Sequence, residues 1–232
     1  MQSFCAIVPW WLKKYIGNVK RSLFNLYNYH AIWLKCNVCL LLGMHNVTLS
    51  ERLKSFTGIE HKETEKLLIE RIKSIHSTED YILLLKIFYG YFAPVEQQIR
   101  RFLTSNELAD LHERRNVSRI KDDLRELGYE QNIPVSTDLP TIESYCHAAG
   151  AMYVQEGSTL GGRHIARMIS GKIENAAQSL SFFEGYKEKT DVMWNSFKSF
   201  INNRFAEEEE AIQVMEGARQ TFVKMKDWII MH

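Results

Sequence analysis

The 232 residues, 45% hydrophobic and 25% charged, suffice for one sizeable core and do not call for a second. A formal net charge of +1 removes the electrostatic argument for a nucleic-acid binder. Four cysteines (Cys5, Cys36, Cys39, Cys146) make no secreted disulfide framework in a chain of this length, and Cys36 and Cys39 have CxxC spacing without the second pair a zinc site needs.

Residues 1–43 stand apart, rich in Trp, Tyr, Asn, Cys and Leu and almost devoid of acidic side chains. The longest apolar run there, Ala31 to Leu42, is broken by Lys35 and Asn37. It falls short of the roughly 18 to 20 residues of a membrane span and has no cleavage site of a signal peptide. Two readings stay open: a non-core extension before a natural start at Met44, or an amphipathic surface anchor built on Trp10, Trp11, Lys13, Lys14, Lys20 and Arg21. Residues 44–232 are expected to form one helical domain.

From Thr48 the pattern is helix after helix. Ser50 is expected to cap a first helix reaching Ile75, with Leu53, Phe56, Leu67, Leu68 and Ile72 on its apolar side. A second starts after Ser77, is kinked or broken at Pro94, and resumes through VEQQIRRFL. Short helices are predicted for Glu107 to His112 and for Arg115 to Leu127, the latter stopped by Gly128. Tyr129 to Pro140 reads as a loop. A long helix follows from Thr141 to about Ile173, then one from Asn175 or Ser179 to Asn202, and a last from Ala206 to about Ile230 opening on Glu207 to Glu210. That acidic run suits a solvated first helical turn. No strand pattern is sustained, so the class is all-α.

Two features carry chemistry. Gly157, Gly161 and Gly162 lie together in EGSTLGG, inside the long helix, where each costs about 0.5–1 kcal/mol relative to Ala. Either bare backbone is needed against something flat or bulky, or Gly161 caps a helix end; the apolar pattern resumes in HIARMISGKI, which favours the first. In the first helix, Lys54, Thr57, His61 and Glu65 share one face. An imidazole there can ligate a metal, with Glu65 one turn on as acceptor for its other ring nitrogen. An exposed, salt-bridged face fits the same spacing.

The segment LSERLKSFTGIEHKETE, Leu49 to Glu65, resembles the proximal helix of heme oxygenases, with His61 at the position of the iron ligand and Thr57 four residues before it. YILLLKIFYGYFAPVE resembles a second segment of the bacterial, biliverdin-producing members. GAMYVQEGSTLGG resembles their distal helix, and FFEGYKEKTDVMWNSF a later helix closing the pocket. The matches run in the family's order over nearly all of residues 48–200. The resemblance implies a single-domain helical fold with heme between a proximal and a distal helix. The implied reaction is oxidative opening of heme to biliverdin with release of CO and ferrous iron. Heme is then substrate and cofactor, with O2 and an external electron donor, a ferredoxin or flavoprotein reductase. A bilin-binding phytochrome is an implied downstream partner, in a cytoplasmic monomer or weak dimer without a membrane span.

Carried onto this chain, His61 is the axial ligand of the heme iron, and Gly157, Ser158, Gly161 and Gly162 form the oxygen side. Lys54 pairs with a propionate, and Glu65 and Thr57 support the ligand. Tyr153 and Tyr186 are further propionate candidates; Arg163 and Arg167 are read as exposed. Ser158 departs from the Asp that mammalian-type members carry there, which affects proton delivery rather than reaction class. His147 and His164 are read as structural or surface residues. Two alternatives remain: a heme carrier or sensor without turnover, and a different enzyme on the same fold using Glu65, Glu96 and His147 as metal ligands or Cys146 as nucleophile.

Overall fold

A computed structural model describes residues 47–173 and 178–232. The readings of residues 1–43 and the helix start at Asn175 lie outside the described residues. Thr48 opens α1 (Leu49–Phe56) through a capping box, its side chain accepting from the Glu51 N–H while the Glu51 carboxylate accepts from the Thr48 N–H at 2.8 Å. Ser50 is therefore inside the first turn rather than its cap, and its N–H donates to Asn202 Oδ1 at 2.9 Å. The single helix expected to Ile75 is two. Thr57 leaves helical geometry (φ −93°, ψ 7°) with its hydroxyl turned back onto the Leu53 carbonyl, and α2 (Gly58–Lys73) restarts after it.

Ser77 and Asp80 form the capping box of α3 (Thr78–Ile99). Pro94 lies inside this helix without breaking it. Proline cannot bond the carbonyl four residues back, and here that carbonyl, Gly90, accepts from the Ser136 N–H at 2.8 Å. The loop after α4 (Ser118–Glu126) thus repairs the gap in α3. Between them the expected helix at Glu107 to His112 reduces to a 3-10 turn, Leu111–Glu113. Gly128, at φ +75°, ends the α4 region as its sequence position suggests.

Helix α5 (Tyr145–Ser170) is capped by Ser144 and includes all three glycines without interruption. The next predicted helix is divided: α6 (Ser181–Glu184), a left-handed Gly185 at φ +57°, a 3-10 turn at Lys187–Lys189, then α7 (Thr190–Arg204). Asp123 fixes the start of α6 by accepting from the Ser181 and Phe182 N–H groups at 2.9 Å each. The last helix, α8 (Glu208–Met231), opens on the acidic turn.

Helix α5 is central and packs against α3, α6, α7 and α8, while α8 also covers α1 and α2. The α5–α8 crossing is backbone-close: a Cβ on Gly150 would sit 2.0 Å from the Val214 carbonyl oxygen. Around it lies a core rich in rings, with Phe88, Phe182 and Phe183 edge-to-face and the buried Tyr81 and Tyr91 hydroxyls donating to the Ser179 and Thr221 carbonyls at 2.6 Å. No strand occurs among the described residues, and none of their helices is long and apolar enough to cross a membrane.

Candidate functional site

Thr57, Thr64 and Ile72 are 2%, 3% and 1% exposed, and His61 falls on the same face of α2. Yet His61 is exposed, its ring touching Phe222 of α8 edge-on at 5.4 Å. An exposed imidazole on an otherwise buried helix face marks an opening in the packing. The opening is bounded by α2 and α8.

Helix α5 shows the same change along its length. It is buried continuously from Ala148 to Glu156, half-buried at Gly157 and Ser158, and exposed at Leu160 and Gly161. A Cβ at Gly157 would meet only the Trp194 ring, at an ordinary 3.7 Å, and one at Gly161 would meet nothing within 4 Å. Gly162 differs. Its Cβ would lie 2.1 Å from the Phe183 carbonyl oxygen, so the bare backbone expected to face a ligand serves the seat of α6 against the back of α5. One helical step, about 100°, separates the packing glycine from the open one.

Around Gly157 of α5 lies a buried polar network the sequence reading did not anticipate. Glu156, 2% exposed, accepts from Arg114 Nη1 at 2.7 Å and from the Tyr186 hydroxyl at 2.8 Å. Arg114 also pairs with Asp110 at 2.7 Å. Burial pushes the Glu156 carboxyl up and Arg114 opposes the shift; burial works against the Arg114 charge, which Glu156 and Asp110 more than restore. Arg115 donates through Nη2 to the Gln155 carbonyl at 2.8 Å and to Ser158 Oγ at 2.5 Å, its guanidinium 4.2 Å from the centre of the Phe182 ring. Gln155 Nε2 donates to Glu96 at 3.0 Å, which also accepts from the Val117 N–H. The residues flanking Gly157 are thus gripped by residues 110–117, while Gly161, one turn on, is exposed.

The heme oxygenase family model matches residues 47–230. The chain belongs to the heme oxygenase family. Its enzymatic class is accordingly heme degradation. A heme oxygenase of Xanthomonas campestris pv. campestris (strain 8004) is 28% identical over 144 residues, covering 62% of this chain and 85% of that protein. Two solved structures share the fold. The Neisseria meningitidis heme oxygenase, determined with NO and CO bound, has TM-score 0.61 at 21% identity, covering 79% of this chain and 90% of its own. The Leptospira interrogans enzyme has TM-score 0.65 at 16% identity, covering 80% and 100%.

Heme fits the residues present in this heme oxygenase. An exposed imidazole interrupts a buried helix face, Gly161 of α5 has open space beside it, and the apolar side chains of Leu160 on α5 and Phe56 at the end of α1 are exposed. Of the other predicted site residues, Thr57 is buried against Leu53 and Lys54 is exposed. Tyr153 packs its ring on Trp194 at 5.3 Å, and desolvation pushes its hydroxyl up to about 12. Tyr186 is corrected: its hydroxyl donates to Glu156 and accepts from the Arg115 N–H at 2.7 Å, so it belongs to the buried network and has no proton left for a propionate. Glu65 is exposed, on a shallow depression with Lys62, Lys66 and Lys73, and makes no hydrogen bond to His61. Arg163 and His164 are exposed, as expected.

The rival enzyme chemistry finds no site. No group of three or more His, Cys, Asp or Glu among the described residues could hold a metal ion, and the Glu96 carboxylate is already taken by Val117, Gln155 and Arg100. Desolvation raises the Cys146 thiol, the reverse of an activated nucleophile. Trp194 and Phe222 were missed as site residues; a Trp and a Phe in apolar stripes carry no signal distinguishing wall from core. Glu156 did carry one, since it continues the stripe Ala149, Met152, Tyr153 at helical spacing and so sits on a buried face.

Proposed function

We propose that this heme oxygenase opens heme to biliverdin, with release of CO and ferrous iron, using electrons from a ferredoxin or flavoprotein reductase. The observation that carries the reading is His61, exposed on a helix face that is buried before and after it. Bound heme would supply the iron centre at which oxygen is activated and the porphyrin that is cut. The protein's own residues bind, orient and exclude. His61 would hold the heme iron through a neutral imidazole nitrogen, a weaker electron donor than a thiolate. Gly157 and Gly161 leave side-chain-free surface on the other wall, and Leu160 and Trp194 add apolar cover that limits water. Lys54 is free to meet a carboxylate at the rim as a flexible point charge. Residues 110–117 hold α5 rigid around Gly157, so the glycine turn keeps its shape without side chains of its own. The product fits supply of a bilin-binding phytochrome or release of iron, in a cytoplasmic setting.

Adding hemin to the purified protein should give a sharp histidine-bound Soret band that His61→Ala weakens or displaces. Ascorbate or reduced ferredoxin should then yield a bile pigment, its isomer identified by chromatography. Tight binding with intact heme after reductant and oxygen would instead establish a carrier or sensor.

A further inference from the structure

Helix α5 carries Tyr153, Gly157 and Gly161 at steps of four residues, hence on one side. Trp194 of α7 covers the first two of these positions and stops short of the third. Its ring packs on Tyr153 at 5.3 Å and would meet a Cβ at Gly157 at 3.7 Å, while Gly161 stands against open space. The edge of the Trp194 ring is therefore where protein cover ends along the glycine stripe. Trp194 is only half-buried, and its further ring contact, Phe197 at 6.3 Å, is on its own helix. Packing this sparse leaves the place of the indole to whatever holds α7 on α5.

Arg114, 3% exposed, is the side chain that joins them. Its Nη1 donates to Glu156 of α5 at 2.7 Å and to the Met193 carbonyl of α7 at 3.3 Å, and its Nε and Nη2 donate to Asp110 at 2.9 and 2.7 Å. The guanidinium stands 5.3 Å from the centre of the Phe197 ring, and Asp110 also accepts from Ser196 Oγ of α7 at 3.1 Å. The two helices are thus gripped one residue before they meet, since Glu156 precedes Gly157 and Met193 precedes Trp194. The direct ion pair between α5 and α7, Arg163 with Asp191 at 3.9 Å, is exposed and contributes little. We infer that Arg114 is a positioning residue: by binding Glu156 and the Met193 carbonyl through one nitrogen it seats α7 on α5, and so places the Trp194 edge that bounds the open surface at Gly161. A flat ligand lying along that surface abuts Trp194, which limits how far it slides toward Tyr153. For a porphyrin this stop sets the in-plane seating, and with it the carbon presented for cutting. Lysine would keep the charge opposite Glu156 and lose the fork, so it cannot hold Asp110 through two nitrogens while serving both helices.

The inference rests on the heme-pocket reading, and one arm of its test needs no heme. In heme-free protein the emission of Trp194, taken as the difference between each background and its Trp194→Phe counterpart, reports where the indole sits. Arg114→Lys should raise acrylamide quenching of that component about twofold and move it to longer wavelength, because α7 is released from α5 at Met193. Asp110→Asn, at a side chain 25% exposed, loosens the grip on Nε and Nη2 while keeping the Glu156 pair, and should act in the same direction even where Arg114→Lys does not fold. Tyr91→Phe, which weakens the contact of α3 with α8 away from α7, should leave the Trp194 component unchanged. Emission unmoved in Arg114→Lys and Asp110→Asn, or moved as far in Tyr91→Phe, overturns the positioning role. In the hemin complex turned over with ascorbate, Arg114→Lys and Trp194→Ala should each raise the minor biliverdin isomers about threefold. The double variant should raise them no further than Trp194→Ala alone, because Arg114 acts through Trp194. Wild-type isomer ratios in Arg114→Lys, or additive changes, would overturn the link to heme seating. Failure of the wild type to bind hemin would count against the pocket reading alone and leave the emission comparison standing.

Discussion

Gly161 and Gly162 are neighbours with opposite reasons to be glycine, and alanine at each should separate those reasons. At Gly161 the new methyl meets nothing within 4 Å. It should add helix propensity worth about 0.5–1 kcal/mol to the heme-free protein. For a chain of this size that is a rise in Tm of about 1–4 °C. At Gly162 the methyl would stand 2.1 Å from the Phe183 carbonyl oxygen, where real contacts are 3.0 Å or longer, so α6 must retreat by about 1 Å from α5. Overpacking of that kind costs about 1–3 kcal/mol, a fall of several degrees. Circular dichroism melts of the two heme-free variants give the comparison directly. Hemin titration supplies the other half: Gly161→Leu should melt at or above the wild type and weaken hemin binding at least tenfold. A Gly161→Ala protein less stable than wild type would show that the glycine serves the fold. Wild-type hemin affinity in Gly161→Leu would remove this residue from the pocket wall.

Three further outcomes are expected. Glu156→Ala should destabilise the protein by about 3 kcal/mol in urea unfolding, at the lower end for a broken buried pair because Asp110 still neutralises Arg114. Tyr91→Phe should cost about 0.5–1.5 kcal/mol, since it removes the buried hydroxyl that donates to the Thr221 carbonyl inside α8. The capping carboxylate of α3, Asp80, is held below the usual carboxylate range, first by the His76 N–H and then by Ser77. Its contribution is complete above its unfolded pKa and is lost as pH falls through the depressed folded value. Urea midpoints measured between about pH 2 and 6 should therefore drop less steeply for Asp80→Asn than for wild type, and parallel acid limbs would refute the assignment.

Helix existence was legible because periodicity and caps are local. Ser77 announced α3, Gly128 ended the α4 region, and the glycine helix was expected to continue through EGSTLGG, as it does. The errors fell where a distant partner decides. Pro94 was expected to kink or break its helix; α3 is not broken there, and the Ser136 N–H, folded back onto the Gly90 carbonyl, takes the place of the missing bond. Thr48 rather than Ser50 caps α1 because Glu51 completes the box with Thr48. The helix expected from Ser179 was cut at Gly185, where the chain turns left-handed after Asp123 has pinned α6.

The site divides in the same way. Residue type and order along the chain were enough to single out His61 and the glycines and to indicate the family, since ligand chemistry and the cost of helical glycine are properties of the residues themselves. Which glycine is open and which is packed, why Tyr186 is taken by Glu156, and that Arg114 and Arg115 brace the glycine turn were decided only by tertiary structure. Those facts depend on what lies behind α5, and a one-dimensional pattern gives the direction of a side chain on its own helix but not the neighbour it meets.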